Sequence, residues 1–208
     1  MINSVADGAG VDGVSDATRE KLEALNRLLH KWNPAINLVA RSTLPDAWTR
    51  HIADSAQIFA FLPPGAKTWL DLGSGGGFPG LVVAILAQDH APDLRVELVE
   101  SDQRKCVFLQ TVGQSLGLPI TVTRSRIEAL TPRGADVVSA RALARLDQLC
   151  KYALPHLGPG GIGLFLKGAL VEDELVEARK HFSFDAQVVR SPVDGHSVVV
   201  RIADLAHV

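Results

Sequence analysis

Apolar residues follow a helical period in the first third of the chain. In residues 22–32 they recur three and four positions apart, with charged residues between them, which is typical of an amphipathic helix. Asn33 and Pro34 are predicted to end this helix, because the residue before a proline is pushed out of the α region. A second amphipathic helix is predicted from about Pro45 to the Pro63-Pro64-Gly65 turn.

From Lys67 onward, short apolar segments alternate with amphipathic ones. Strands are predicted at 68–72, 95–99, 120–123, 135–140, 163–166, 186–189 and 197–202. Helices are predicted at 78–88, 102–116, 146–156 and 171–181, with Asp102 as an N-cap. Strands that alternate with helices indicate an α/β protein with a mostly parallel sheet. The last two strands have no helix between them and are predicted to form a terminal hairpin.

Three regions are predicted: a flexible tail (1–14), an N-terminal helical cap (15–65) and an α/β domain (66–208), together one compact unit. The longest apolar run, residues 81–87, is too short to cross a bilayer, and the first residues do not resemble a signal peptide. Cys106 and Cys150 provide neither a disulfide framework nor the spacing of metal ligands. We therefore predict a cytoplasmic protein with no membrane segment and no metal site.

A glycine-rich loop, Asp71 to Gly80, follows the first predicted strand and opens a helix. Glycines there let the backbone turn sharply and approach a ligand closely. Two cofactor patterns fit. Gly75, Gly77 and Gly80 match the G-x-G-x-x-G of dinucleotide-binding folds. Asp71, Gly73, Gly75 and Gly77 match the D-x-G-x-G-x-G of S-adenosylmethionine-dependent methyltransferases.

The residues around the loop favour the second pattern. The dinucleotide frame leaves Asp71 and Gly73 unexplained, whereas the methyltransferase frame puts the Asp71 carboxylate at a strand tip, near bound water or the methionine part of the cofactor. Glu100 ends the second strand, where a carboxylate can accept hydrogen bonds from both ribose hydroxyls. Both cofactor classes use such an acid, so Glu100 alone does not separate them.

An ordered set of short motifs extends the comparison over nearly the whole chain. The motifs are Trp32-Asn33, Asn37-Leu38, His51-Ile52-Ala53-Asp54-Ser55, the loop with its Phe78-Pro79-Gly80, Ser125-Arg126-Ile127-Glu128, Ser139-Ala140-Arg141-Ala142 and Leu166-Lys167-Gly168. With this set, the chain resembles the ribosomal RNA small subunit methyltransferase G family, also called glucose-inhibited division protein B. The resemblance implies the class I methyltransferase fold, a doubly wound seven-stranded sheet with a reversed last hairpin. It also implies methylation of guanine N7 in 16S rRNA.

The resemblance also implies the cofactor site. The family's contacts to S-adenosylmethionine correspond to Gly73, Phe78, Ile127, Glu128 and Arg141. Ile127 and Glu128 follow the third strand, where this fold usually holds the adenine. Arg141 follows the fourth strand, beside the methyl group to be transferred.

Guanine N7 has a lone pair and no proton, so its methylation requires positioning and electrostatics rather than a general base. Arg141 is the predicted catalytic residue, because a guanidinium can offer two donors to guanine O6 or to a phosphate. Neither cysteine lies in the loop after the fourth strand, where a pyrimidine-C5 methyltransferase needs its nucleophile.

Residues 121–167 contain seven basic and three acidic residues, although the whole chain has a net charge of -2. This excess predicts a basic rim for RNA near the cofactor. The candidate contacts to RNA are Arg126, Arg145, Lys167, Arg50 and His51.

Two other functions fit the same pattern: a small-molecule methyltransferase, which would need an apolar pocket instead of a basic rim, and a non-catalytic RNA-binding protein that retains a cofactor pocket. The predicted partner is 16S rRNA, free, in the small subunit or in an assembly intermediate. The sequence contains no signal for oligomerisation, so a monomer is the default expectation.

Overall fold

One sheet runs through the centre of the molecule. The computed structural model describes residue 11 and residues 13–168, 170–193, 195 and 197–208. Within this part of the chain the strands are β1 (Thr68–Leu72), β2 (Arg95–Glu100), β3 (Ile120–Arg124), β4 (Ala135–Arg141), β5 (Leu157–Lys167), β6 (Phe182–Arg190) and β7 (Val198–His207). Their order in the sheet is β3-β2-β1-β4-β5-β7-β6. The first five strands pair in parallel and β7 is antiparallel to both neighbours, which confirms the predicted sheet and its terminal hairpin.

Helices cover both faces of the sheet, as a parallel sheet requires. They are α1 (Asp16–Ile36), α2 (Asp54–Ala56), α3 (Gly80–His90), α4 (Gln103–Leu116), α5 (Leu146–Ala153) and α6 (Val171–Ala178). Successive side chains of a strand point to opposite faces. Trp69 of β1 therefore belongs to the hydrophobic core beneath α1, α3 and α4, and its neighbour Leu70 to the core beneath α5 and α6. None of the described helices is long and apolar enough to span a membrane.

The N-terminal segment shares the first of these cores. Leu22, Leu25 and Leu29 of α1 are fully buried there, together with residues of α3 and α4. Val11 also packs into this core, while residues 1–10 and 12 of the predicted tail lie outside the described residues. The segment from α1 to residue 65 is thus built onto the sheet through a continuous core.

The predicted end of the first helix is wrong. α1 continues through Pro34 to Ile36 and is closed by Asn37, which has a left-handed backbone and donates its N–H to the Asn33 carbonyl. A proline in the last turn removes one N–H but has a helical φ, so the helix can continue past it for a short distance.

The predicted second helix is irregular. It consists of a π-helical turn (Trp48–Ala53), α2 and a 3-10 turn (Gln57–Phe61). Single π turns in a helix are frequent at functional sites. β5 also begins six residues before its predicted start. The sequence analysis missed this first part because Leu-Gly-Pro-Gly-Gly lacks the apolar pattern of a buried strand.

Candidate active site

A large cavity lies at the carboxyl ends of β1, β2 and β4, where the parallel part of the sheet opens. It has a volume of about 600 Å³. This is the edge at which ligands bind in open α/β sheets, and the volume is that of a small-molecule site. Seven of the residues predicted to hold the cofactor line it: Gly73, Gly75, Phe78, Glu100, Ile127, Glu128 and Arg141.

The loop after β1 forms the floor of this cavity. Gly73 and Gly75 have φ values of +64° and +54°, in the left-handed region that favours glycine. A side chain at Gly73 would collide with Leu143, whereas a Cβ at Gly75 would meet only a backbone oxygen, 3.8 Å away. The loop is held to β2 by two hydrogen bonds, from Ser74 N to Val99 O (3.0 Å) and from Gly75 N to Glu100 Oε2 (2.9 Å).

Two predicted cofactor residues of the loop segment, Asp71 and Gly77, do not line the cavity. Asp71 is fully buried, and its carboxylate accepts hydrogen bonds from Ser139 Oγ (2.7 Å) and Gly80 N (3.3 Å). Gly77 has a φ of +87°, and a Cβ there would lie 2.2 Å from the Leu81 side chain. These contacts fix the conformation of the loop from within the protein.

Burial raises the pKa of Asp71 to about 6, against the opposing effect of its hydrogen bonds from Ser139, Ser74 and Gly80. Because the folded pKa exceeds the ordinary value of 3.8, the contribution of Asp71 to stability is complete below pH 4 and is lost as pH rises through 6. Asp71→Asn should lack this dependence. The quantity to compare is the free energy of unfolding of the parent minus that of Asp71→Asn. We expect this difference to fall by roughly 1–3 kcal/mol between pH 4 and 7.

Urea unfolding at several pH values measures this difference. The control is Asp136→Asn, since Asp136 is a half-buried aspartate at the opposite edge of the sheet that also accepts backbone hydrogen bonds. A difference for Asp71→Asn that does not change with pH would show that Asp71 stays ionised over this range.

Glu100 is positioned by the backbone around it. Its Oε1 accepts hydrogen bonds from the backbone N–H groups of Ser101 (2.7 Å) and Asp102 (2.8 Å), and its Oε2 from that of Gly75 (2.9 Å). The side chain is buried but borders the cavity. These bonds orient the carboxylate at the tip of β2 and tie it to the glycine loop.

The loop after β3 supplies the opposite wall through Ile127 and Glu128. Glu128 accepts a hydrogen bond from the Tyr152 hydroxyl (2.7 Å), which lowers the pKa of the Glu128 carboxyl. Tyr152 was missed by the sequence analysis because it lies on α5, far from any glycine or strand-end motif. Leu38 and Val39 were also missed; they line the cavity from the N-terminal segment.

Arg141 ends β4 and is held by three groups. Its Nη1 donates to Arg50 O (3.1 Å) and contacts His51 Nδ1 (3.0 Å), and the guanidinium lies over the Phe78 ring, 5.0 Å from its centre. Burial lowers the pKa of Arg141 to about 10, while the carboxylates of Asp54 and Asp71 oppose this lowering. The guanidinium thus remains positively charged at neutral pH.

A second cavity of about 410 Å³ adjoins the first, and Arg141 and His51 line both. Its wall also contains Arg50, Asp54 and Lys167. Arg141 therefore lies between a cavity bordered by the glycine loop and a cavity rich in charged side chains.

The predicted RNA contacts have different surroundings. Arg50, Arg126 and Arg145 are exposed, and Arg126 borders the larger cavity. Lys167 instead pairs with Glu174 (2.6 Å) and donates to Ala144 O (2.8 Å), and His51 is buried.

The predicted basic rim is smaller than the sequence indicated. Arg133 precedes β4 and binds Glu97, so it lies at the opposite edge of the sheet. Among the described residues, no three His, Cys, Asp or Glu side chains are grouped as metal ligands would be.

Comparison with known proteins identifies the family. The family profile described as rRNA small subunit methyltransferase G matches residues 18–198. The chain belongs to this family. Proteins named "Ribosomal RNA small subunit methyltransferase G" include one from Cereibacter sphaeroides, 49% identical over 94% of this chain and 95% of that protein. Another, from Parvibaculum lavamentivorans, is 47% identical over 97% of this chain and 91% of its own length. The resemblance seen in the motifs is thus confirmed.

Solved structures agree on the fold. A methyltransferase from Geobacter sulfurreducens has a TM-score of 0.60 at 15% identity and covers 94% of both chains. An S-adenosylmethionine-dependent methyltransferase from Aquifex aeolicus also has a TM-score of 0.60, at 14% identity, over 76% of this chain and 93% of the other. These likenesses confirm the methyltransferase fold predicted for this family member.

Proposed function

We propose that this family member transfers a methyl group from S-adenosylmethionine to N7 of a guanine in 16S rRNA. Its family makes it an S-adenosylmethionine-dependent rRNA methyltransferase. The proposal of guanine N7 as the methylated atom rests on the position of Arg141, a positively charged group between the two cavities. One cavity would hold the cofactor and the other the target base.

The residues of the larger cavity fit S-adenosylmethionine. The backbone at Gly75 leaves open space above the loop, and the Glu100 carboxylate can accept hydrogen bonds from ribose hydroxyls. Ile127 offers an apolar surface for the adenine and Glu128 an acceptor beside it. When bound, S-adenosylmethionine supplies a methyl group on a positively charged sulfur.

The chemistry at N7 needs no proton transfer before the methyl group moves, and the site is built accordingly. Among the described residues that line the two cavities there is no cysteine, and Cys150 has a pKa raised by burial to about 12. Burial, with help from Arg141 and Arg50, lowers the pKa of His51 to about 3. The remaining contribution of the enzyme is to orient the base.

Arg141 is the residue that we propose for this orientation. Among the described residues its hydrogen bonds all use Nη1, so Nε and Nη2 are left to donate to guanine O6, next to N7 on the same base edge. A base can enter such a cavity only after leaving its stack.

The RNA would then lie across three exposed arginines: Arg126 at the larger cavity, Arg50 at the second cavity and Arg145 at the start of α5. We place the reaction in the cytoplasm, on 16S rRNA in the small ribosomal subunit or its precursor. A small-molecule substrate would require an apolar second cavity, but three cationic side chains line this one.

Mass mapping of rRNA tests the proposal. Small subunits from cells that lack the protein should gain one methyl group on one guanine when incubated with the purified enzyme and S-adenosylmethionine. The N7-methylated position should be cleaved by borohydride and aniline. A methyl group on an exocyclic amine or on C5, or no methylation of any rRNA particle, would contradict the proposed reaction.

Arg126→Ala and Arg145→Ala should each weaken RNA binding, since both side chains are exposed at the cavity side of the sheet. Each lost phosphate contact should reduce the slope of log affinity against log salt by about 1. Filter binding at several salt concentrations measures the slope. Arg133→Ala, at the opposite edge of the sheet, is the matched control and should leave the slope unchanged. Equal slopes for all three variants would place the RNA elsewhere.

A further inference from the structure

We propose that His51 is a positioning residue for methyl transfer, holding the Arg141 guanidinium towards the base cavity and linking it to the chain segment that lines the cofactor cavity. The proposal rests on the function proposed above. It assigns His51 a different role from the RNA contact that its sequence position indicated.

The polarity of the hydrogen bonds around His51 defines its tautomer. Arg141 can only donate, so its contact at 3.0 Å requires a lone pair on His51 Nδ1. The proton of the ring then lies on Nε2, which donates to Thr43 Oγ1 at 2.8 Å. Thr43 in turn donates its hydroxyl proton to Ala40 O at 2.9 Å. The chain of donors runs in one direction, from Arg141 through His51 and Thr43 to the backbone of residue 40.

His51 can keep this role over a wide pH range. Its ring is buried and lies beside two guanidinium groups, those of Arg141 and Arg50, which disfavour a second proton. The ring also packs on Phe78, with ring centres 5.4 Å apart, and Phe78 carries Arg141 on its face. Imidazole, guanidinium and phenyl ring thus form one packed group at the cavity wall.

The π-helical turn accounts for the second acceptor of Arg141. The Asp54 N–H bonds to Thr49 O, five residues back, and to His51 O, rather than to Arg50 O, which a regular α-helix would use. Arg50 O accepts from Arg141 instead, at 3.1 Å. The same turn therefore presents a carbonyl and an imidazole nitrogen to one guanidinium nitrogen.

The other end of the chain of donors is at the mouth of the cofactor cavity. Leu38, Val39, Ala40 and Thr43 all line that cavity. The segment lies close on the glycine loop, because a Cβ at Gly76 would be only 3.1 Å from Leu38 O. His51 consequently connects the side chain beside the base cavity with the backbone over the cofactor cavity.

Three variants separate the two ring nitrogens. His51→Ala removes both contacts. His51→Asn places a carbonyl oxygen near the position of Nδ1 and can still accept from Arg141, whereas His51→Gln reaches only the position of Nε2. We expect single-turnover methylation at saturating S-adenosylmethionine to fall roughly ten- to hundredfold for His51→Ala and His51→Gln, and less for His51→Asn.

S-adenosylmethionine affinity, measured by calorimetry, should change far less than the rate, and thermal unfolding identifies any variant that is not folded. His30→Ala, an exposed histidine of α1, is the matched control. Equal losses of rate for His51→Asn and His51→Gln would overturn the role of Nδ1. Thr43→Val is the second test of the connection to Ala40, because it removes the hydroxyl that bonds to His51 and to Ala40 O and keeps the size of the side chain.

A double-mutant cycle with Arg141→Ala tests whether His51 acts through Arg141. If it does, adding His51→Ala to Arg141→Ala should cause little further loss of rate. Additive losses would overturn the proposal while leaving the proposed reaction intact. The proposed function fails by a different result, namely no N7 methylation by the parent enzyme.

Discussion

Arg141→Ala is expected to slow single-turnover methylation more than hundredfold, with a much smaller loss of S-adenosylmethionine affinity. The guanidinium borders both cavities and remains charged, so it can act on the base as well as on the cofactor side. Loss of a contact that is made in the transition state lowers the rate at saturating substrate, while loss of uniform binding raises KM. Removing one preorganised donor from a site typically costs about 100-fold or more in kcat.

Arg141→Lys should restore only part of the rate. An ammonium can donate to Arg50 O or His51 Nδ1 but lacks the planar arrangement of donors that would also face the base. Rapid-quench measurements with excess enzyme isolate the chemical step. A rate for Arg141→Ala near that of the parent would show that Arg141 does not orient the guanine.

Glu100→Ala should lower the affinity for S-adenosylmethionine more than hundredfold. Two hydrogen bonds from ribose hydroxyls to a carboxylate contribute about 1.5–3 kcal/mol each, and about 1.4 kcal/mol corresponds to tenfold in affinity. The variant also leaves the N–H groups of Gly75, Ser101 and Asp102 without their acceptor. The glycine loop therefore loses one of its two hydrogen bonds to β2, and the free energy of unfolding should fall as well.

Glu97→Ala separates these two effects. Glu97 lies on the same strand and also accepts hydrogen bonds, from Thr123 and Arg133, but it is away from the large cavity. Its loss should lower stability without changing the affinity for S-adenosylmethionine. Isothermal titration calorimetry on folded protein gives the affinities. Unchanged binding by a folded Glu100→Ala variant would remove Glu100 from the cofactor site.

The sheet and the cofactor loop could be predicted because their signals are local. β1 has the predicted bounds, since a short apolar run followed by glycines is a strong pattern for a buried strand and its turn. Asp102 caps α4 as predicted, with its side chain accepting from Arg104 N and Lys105 N. The family motifs at the ends of β1, β3 and β4, together with Glu100 at the end of β2, then placed seven of the predicted cofactor residues at the cavity, because parallel strands bring their carboxyl ends together.

The roles of individual charged residues could not be predicted in this way. Asp71 matches a cofactor motif, but Ser139 of β4 and Gly80 of α3 enclose its carboxylate. Lys167 ends β5 and belongs to the basic segment 121–167, yet it forms an ion pair with Glu174 of α6. In each case the deciding partner comes from another element.

The sequence by itself determined the α/β class, the glycine loop and the edge of the sheet at which the site lies, because the hydrophobic period, the turn residues and the alternation of strands with helices can be read from neighbouring positions. Only the tertiary structure decided which side chains face the cavities. His51 and Arg141 are 90 positions apart, and their hydrogen bond exists because the π-helical turn packs against the end of β4. Such contacts depend on how elements pack, and no local pattern of residues encodes the charge or the hydrogen-bond partner that a distant segment brings.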